Sequence, residues 1–184
     1  FGISKELKFD WPSNNYGHIL DNPKLYEIDK ASIGYGYLVN TNLVQIARAY
    51  SVFGNNGVMV EPRLVIGEDL QNIQVIRKEN ANFILDALRE TVLDGTAENL
   101  RNAKVSIAGK TGTAEKYVVG KGYAEGKYIS SFAGIFPYEN PQYVMVISID
   151  EPDPNNYYGG QVSAPIVGKI SEFMLLSNFI GGQD

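Results

Sequence analysis

The residues best placed to do chemistry lie in one run, Ala108-Gly109-Lys110-Thr111-Gly112-Thr113-Ala114-Glu115-Lys116. Two chemistries compete for it. A phosphate-binding loop needs a glycine five positions before its Gly-Lys-Thr, so that successive backbone N–H groups can curl around an anion. That position is Lys104, and the Val105-Ser106-Ile107-Ala108 that follows it is a poor loop with no helix after it. The nucleotide-binding reading fails on both counts. In a strand, by contrast, the two-residue period puts Thr111 and Thr113 on one face. Their hydroxyls can then grip a carboxylate together, while Lys110 brings a cationic ammonium on a stem long enough to bend round the strand edge. Gly112, lacking a side chain, lets a ligand backbone come close. Hydrogen bonds from such groups to a charged acceptor contribute roughly 1.5–3 kcal/mol each. The same spacing also fits an ordinary surface strand with one lysine and two threonines.

Few other residue groups offer chemistry. There is no cysteine and a single histidine, His18, so a metal site would have to be almost wholly carboxylate, and no metal or other cofactor is expected. His18 stands in a turn-like stretch with no nucleophile beside it and is assigned no role. Glu115, Asp150 and Glu151 are not brought to a common point by any sequence pattern, which leaves glycosidase chemistry unsupported. The 16 basic residues against 21 acidic ones give a formal charge of -5, which repels a phosphate backbone and argues against nucleic acid. The loop from 117 to 127 combines Gly120, Gly122 and Gly126 with Lys121 and Lys127. It suits contact with a glycan or partner beside a cleft, and equally a solvated hairpin loop.

The elements that must position this run can be read from periodicity. With 184 residues, of which 44% are apolar, one compact unit with its own core is the default. Residues 1–30 mix polar, proline and aromatic types (Trp11, Pro12, Gly17, Pro23) and read as an irregular connecting stretch. Leu43, Ile46, Ala47, Tyr50 and Phe53 recur at helical spacing behind the candidate caps Asn40 and Thr41, predicting a helix over 40–53 that Gly54 ends. Residues 58–66 are β-branched and interrupted by Pro62, as in a short edge strand. A second helix is predicted over 79–93, with Phe83, Ile84, Ala87, Leu88, Thr91 and Val92 as its stripe. Three extended segments follow, 107–116, 128–136 and 142–149, joined by connections too short for a crossover helix, so they form an antiparallel meander. A helix over 162–177, with Ile166, Ile170, Phe173, Met174 and Ser177 on one side, closes the chain. The order implies an α+β class, an antiparallel sheet with helices packed on its faces. No apolar run approaches the roughly 20 residues needed to span a bilayer.

Lys110-Thr111-Gly112-Thr113 resembles the third active-site motif of the class B penicillin-binding proteins, the D,D-transpeptidases that cross-link peptidoglycan. The resemblance runs along most of the chain. It includes Gly34-Tyr35-Gly36, Gln45-Ile46-Ala47-Arg48-Ala49-Tyr50, Asn56-Gly57-Val58 and Pro62-Arg63-Leu64 before the motif. After it come Ser131-Phe132-Ala133-Gly134, Pro137, Asp150-Glu151-Pro152, Tyr157-Tyr158-Gly159-Gly160 and Ser163-Ala164-Pro165. The Tyr-Tyr-Gly-Gly passage leans toward division-type members.

The resemblance implies that residues 1–184 are the C-terminal portion of one transpeptidase domain of the penicillin-binding and serine β-lactamase-like fold, with 1–30 connecting and 31–184 carrying the helices, the three-strand meander and the last helix. It implies catalytic roles for Lys110, holding a positive potential beside the nucleophile, and for Thr113, whose backbone N–H supplies half of the oxyanion hole. Thr111, Gly112 and Thr113 would bind the terminal carboxylate of a D-alanyl-D-alanine stem peptide or of a β-lactam. The nucleophile is expected elsewhere, because no serine here has a lysine three positions later. Ser13-Asn14-Asn15 matches S-x-N as a string but lies where the family has only connecting chain. The first residue, Phe1, with no initiator Met or signal segment, suggests a processed product or a piece of a longer protein. The implied partners are the stem peptide, β-lactams, an upstream half of the same protein and cell-division proteins, at the outer face of a bacterial inner membrane, anchored by another segment. The competing expectation is a non-catalytic module of the same shape that binds cell-wall peptide or a division partner. An S-x-x-K motif upstream separates the two.

Overall fold

The structure is a computed structural model that describes residues 1–7, 15–19, 26–65, 71–118, 120 and 122–180. Ser13, Asn14 and Lys121 lie outside the described residues. The 1–30 stretch is not irregular throughout. Strand β1 (His18–Ile19) pairs antiparallel with β2 (Val39–Asn40), and helix α1 (Glu27–Gly34) lies between them. Helix α1 buries no residue, so apolar periodicity could not announce it. Local polar contacts define it instead: the Tyr26 N–H donates to the Asp29 carboxylate at 3.0 Å, Lys30 pairs with Glu27 at 2.7 Å, and both acids sit in the turn where the helix dipole favours negative charge.

Helix α2 (Leu43–Gly54) begins three residues after the predicted start at 40, and Gly54 is its last residue. Asn42 is the cap: its side chain accepts the Gln45 N–H at 2.8 Å, and the Gln45 carboxamide oxygen takes the Asn42 N–H at 3.4 Å, a reciprocal capping box. The buried stripe of α2 is Gln45, Arg48, Ala49 and Val52, which is partly polar. Gln45 donates to the Lys5 carbonyl at 2.9 Å. Arg48 reaches the Gly2 carbonyl at 2.5 Å and the Glu61 carboxylate at 3.2 Å. These side chains hold the first residues of the chain against the helix. The described part of the 58–66 segment, 58–65, supplies β3 (Val58–Met59), which pairs with β4 (Ile73–Gln74).

Helix α3 (Lys78–Leu93) matches the predicted span within a residue, but its buried face is Ala81, Leu85, Leu88 and Val92, and Phe83 is 72% exposed. The meander stands as expected: β5 (Ala108–Val118), β6 (Gly122–Phe136) and β7 (Tyr143–Asp150) form an antiparallel sheet in sequence order. The hairpin strands run further than periodicity showed, because their ends pair backbone to backbone without needing an apolar face. The final helix divides into a short α4 (Gly159–Val162) and α5 (Ala164–Leu176), with Pro165 in the first turn of the latter. The buried positions of α5 are Ala164, Val167, Gly168 and Ser171, while Phe173 is 65% exposed. Size decided that face: a Cβ on Gly168 would stand 2.7 Å from a Leu100 methyl, so only small residues allow the helix this close.

Helices cover both faces of the sheet, which confirms the α+β class. On one face Phe132 and Phe136 pack with Val92, Leu100, Ile107, Ala164 and Val167. On the other, Ala108 and Ile135 pack with Leu85 and Leu88, flanked by Tyr50 and Phe53. A 3₁₀ turn (Glu98–Leu100) joins α3 toward β5.

Candidate active site

Residues 110–113 lie in regular antiparallel register inside β5, opposite Ala133, Phe132, Ser131 and Ser130 respectively. Alternation therefore puts Thr111 and Thr113 on the face shared with Phe132 and Ser130, and Lys110 and Gly112 on the other. Lys110 is exposed, and its ammonium bends back to the strand edge, donating to the Thr111 carbonyl at 2.9 Å. Gly112 serves the strand's neighbour: a Cβ there would stand 2.6 Å from Ser131 Oγ, so the missing side chain makes room for that hydroxyl.

The sheet order leaves one edge of β5 unpaired by any described strand. In an antiparallel strand a residue's N–H and C=O share one edge, and alternate residues share it too. The Gly109 carbonyl accepts the Thr91 hydroxyl, the Thr111 carbonyl accepts Lys110, and the Glu115 N–H meets Tyr37 Oη at 3.4 Å. All three contacts lie away from β6. Parity then sets the Thr113 N–H and C=O on the same open edge, between the last two contacts. An extended ligand could add to β5 there as a further strand.

Both threonine hydroxyls have neighbours that sequence spacing did not reveal. Thr111 Oγ1 lies 2.7 Å from Thr96 Oγ1, in the turn after α3. Thr113 Oγ1 accepts the Gly159 N–H at 3.0 Å, from the first turn of α4. That turn fits tightly: a Cβ on Gly159 would collide with the Ser131 carbonyl and lie 2.6 Å from the Gly112 carbonyl, and one on Gly160 would collide with the Thr96 carbonyl. Only a Gly-Gly pair can seat α4 this close to the motif strand. The signal was present in Tyr157-Tyr158-Gly159-Gly160, but its target was not.

Two further groups flank the strand. Tyr157 stacks on Tyr128 of β6, with centroids 3.8 Å apart and planes 8° from parallel, and Tyr158 lies beside it at 4.5 Å and 55% exposed. These rings stand against the hairpin. A groove of about 670 Å³, lined by Tyr37, Leu38, Ala114, Tyr117, Tyr123 and Ile129, begins at Ala114, the residue after the motif. Its Tyr37, Tyr123 and Tyr117 rings meet edge to face at 5.3 and 5.5 Å.

Asp150 and Glu151 do converge, on Lys116, at 2.7 and 2.9 Å, and Lys127 joins Glu151 at 2.9 Å; Glu115 takes no part. The hydrogen bond from Lys116, then that from Lys127, holds the Glu151 carboxyl down at about 2. The bond to Asp150, then that to Glu151, pushes the Lys116 ammonium up. Opposite charges this close stabilise each other's ionised forms, so these contacts tie the hairpin to the end of β7, and Glu151 offers no proton near neutral pH. His18 is exposed and lies opposite Asn40 in the β1–β2 pair. Among the described residues no cluster of His, Cys, Asp and Glu could hold a metal.

With that geometry in hand, comparison with known proteins is informative. The family described as penicillin binding protein transpeptidase domain matches residues 1–172. A probable peptidoglycan D,D-transpeptidase PbpC of Pseudomonas aeruginosa is 34% identical over 172 residues, which is 92% of this chain and 30% of that protein. The peptidoglycan D,D-transpeptidase FtsI of Buchnera aphidicola is 30% identical over 179 residues, 95% of this chain and 31% of its own length. The chain thus spans about a third of such relatives. Among solved structures, the transpeptidase domain of Burkholderia pseudomallei penicillin-binding protein 3 superposes with a TM-score of 0.84 at 28% identity, covering 100% of this chain and 56% of that one.

Proposed function

This chain belongs to the penicillin-binding protein transpeptidase domain family, and from that premise we propose that it is the C-terminal part of a peptidoglycan D,D-transpeptidase of the division type. In this reading the chain contributes the substrate-binding strand, and the nucleophilic serine comes from a preceding part of the protein. The serine oxygen adds to the carbonyl of the penultimate D-alanine. The amide bond breaks, and the terminal D-alanine leaves with a proton on its amine. The acyl-enzyme then passes to an acceptor amine of a second stem peptide. A β-lactam enters the same path through its ring amide, whose nitrogen stays tethered.

The geometry of β5 supports the roles assigned to it. Thr111 and Thr113 offer two hydroxyls on one face to the ligand's terminal carboxylate, and the Lys110 ammonium supplies positive charge at the open edge. The Thr113 N–H on that edge serves as one oxyanion donor, a role that elsewhere contributes about 2.7–4 kcal/mol to the transition state. The Tyr157-Tyr158-Gly159-Gly160 passage supports the division type. Among the described residues no helix is long and apolar enough to cross a membrane. We assign membrane anchoring to another part of the protein and the site of action to the outer face of the cytoplasmic membrane.

The observation that carries the proposal is the open-edged strand with a cation and two same-face hydroxyls within four residues. The test is the complete protein, including its preceding portion, incubated with fluorescent penicillin and resolved by denaturing electrophoresis. A covalent adduct that unlabelled penicillin competes away is expected. An intact, folded protein that forms none would leave a non-catalytic peptide-binding module in place of the enzyme.

A further inference from the structure

The hydrogen bonds behind the two clamp threonines are directional. An amide N–H can only donate, so Thr113 Oγ1 accepts from Gly159, 3.0 Å away, and its own proton is free to point elsewhere. The contact between Thr96 and Thr111, at 2.7 Å, joins two hydroxyls of which either could donate. An ionised carboxylate only accepts, so a clamp hydroxyl binds it by donating. If Thr111 gave its proton to Thr96, it would turn a lone pair toward the anion. Thr111 can meet a carboxylate with its proton only when Thr96 is the donor behind it.

The backbone around Thr96 is built to hold that hydroxyl in place. The Ala97 N–H donates to the Thr91 carbonyl at 2.9 Å and the Glu98 N–H to the Gly95 carbonyl at 3.1 Å, fixing the turn on the end of α3. Asn99 Nδ2 donates to the Gly160 carbonyl at 2.5 Å, and the Gly160 Cα packs against the Thr96 carbonyl. The turn holding Thr96 and the turn holding Gly159 are therefore tied to each other, and each addresses one threonine of the strand.

We propose that Thr96 is a positioning residue of the anion clamp: it donates to Thr111 Oγ1 and so directs the Thr111 proton at the ligand, as the Gly159 N–H does for Thr113. Both hydroxyls then present protons outward, and the chain from Thr96 through Thr111 to the ligand polarises in one direction. The site becomes selective for an acceptor-only anion, a carboxylate, over its carboxamide, which brings donors of its own. This inference rests on the reading of β5 as a carboxylate-binding strand and names what orients it.

The experiment compares wild type, Thr96→Val and Thr96→Ser of the complete protein. N-acetyl-D-alanyl-D-alanine and its C-terminal amide are titrated against each, followed by the chemical shifts of the Thr111 and Thr113 methyls. Wild type should prefer the carboxylate. Thr96→Val, which keeps the shape and loses the donor, should shrink that preference about fivefold, the worth of one ordinary hydrogen bond, and Thr96→Ser should restore it. A carboxylate-to-amide ratio unchanged in Thr96→Val overturns the proposal, as does an equal loss on both ligands, which would mark a purely structural role. Absence of any carboxylate preference in wild type also overturns it. Fluorescent penicillin on the same samples separates the two readings. A retained effect of Thr96 without an adduct sinks the transpeptidase reading alone, and an adduct with no effect of Thr96 sinks only this one.

Discussion

Lys110, Thr111 and Thr113 differ in what holds them. The threonine hydroxyls have partners from outside the sheet, whereas among the described residues the Lys110 ammonium meets only the carbonyl of its own neighbour in the strand. An exposed cation bonded only to its own strand edge contributes little to the fold. Lys110→Ala should therefore leave the melting temperature nearly unchanged. In the complete protein it should slow acylation by labelled penicillin roughly ten- to hundredfold, the cost of about 1.5–3 kcal/mol for a lost charge-assisted bond. Stopped-flow acylation kinetics alongside thermal denaturation checks both halves. Glu151 makes the opposite kind of prediction. Its carboxyl is held from an ordinary 4.5 down to about 2, so its contribution is complete above about pH 4.5 and is lost as pH falls toward 2. The Tyr157 and Tyr128 stack lies just beyond the loop it anchors, so near-ultraviolet circular dichroism should change across that acid window. In Glu151→Gln the change should vanish. Added salt should weaken the pairing, because these side chains are partly exposed.

At the scale of elements, α4 and the turn after α3 carry the site as much as β5 does. Gly160 lies so close to the Thr96 carbonyl that any side chain must push the two apart. Gly160→Ala should destabilise the protein by about 1–3 kcal/mol, as overpacking does. It should also weaken the carboxylate preference, because it pushes apart the turn that holds Thr96 and the turn that holds Gly159. Denaturant melts, with the same titration, measure the pair of effects. Helix α2 depends on charge of another kind. Arg48 and Glu61 pair with side chains 3% exposed each, and among the described residues the Arg48 Nε has no partner. Removing one member strands the other, so Glu61→Ala should cost about 3–5 kcal/mol and loosen the segment that Arg48 holds at Gly2. Chemical denaturation reads the first and amide hydrogen exchange of residues 1–7 the second.

For the molecule as a whole, the sheet ends in β5 on one side and β7 on the other, with no further described strand on either edge. One open edge faces the groove and the clamp, where a ligand can pair. In the function proposed above the chain supplies the clamp, the cation and one oxyanion donor, and it contains no serine followed three residues later by a lysine. By itself it should form no adduct with labelled penicillin, while the protein that includes the preceding portion should. An adduct on residues 1–184 alone, located by peptide mass mapping, would move the nucleophile into this chain and overturn the division of labour proposed above.

Local pattern determined a good deal. The pattern in 107–116 specified a strand with Thr111 and Thr113 on one face, short connections specified the meander, and apolar spacing located α2, α3 and α5. Each of these depends on backbone geometry within a few residues, which the order of residue types encodes directly. Burial followed other rules. Phe83 and Phe173 belong to apolar stripes yet face outward, because the close fit of α3 and α5 selects small or well-shaped residues at the contact. Gln45 and Arg48 are buried because their partners arrive from Lys5, Gly2 and Glu61. The partners behind the two threonine hydroxyls come from Thr96 and Gly159, 15 and 46 positions away. Periodicity fixes which way a side chain points, but what it meets there is set by packing between distant segments, and only the tertiary structure decides that.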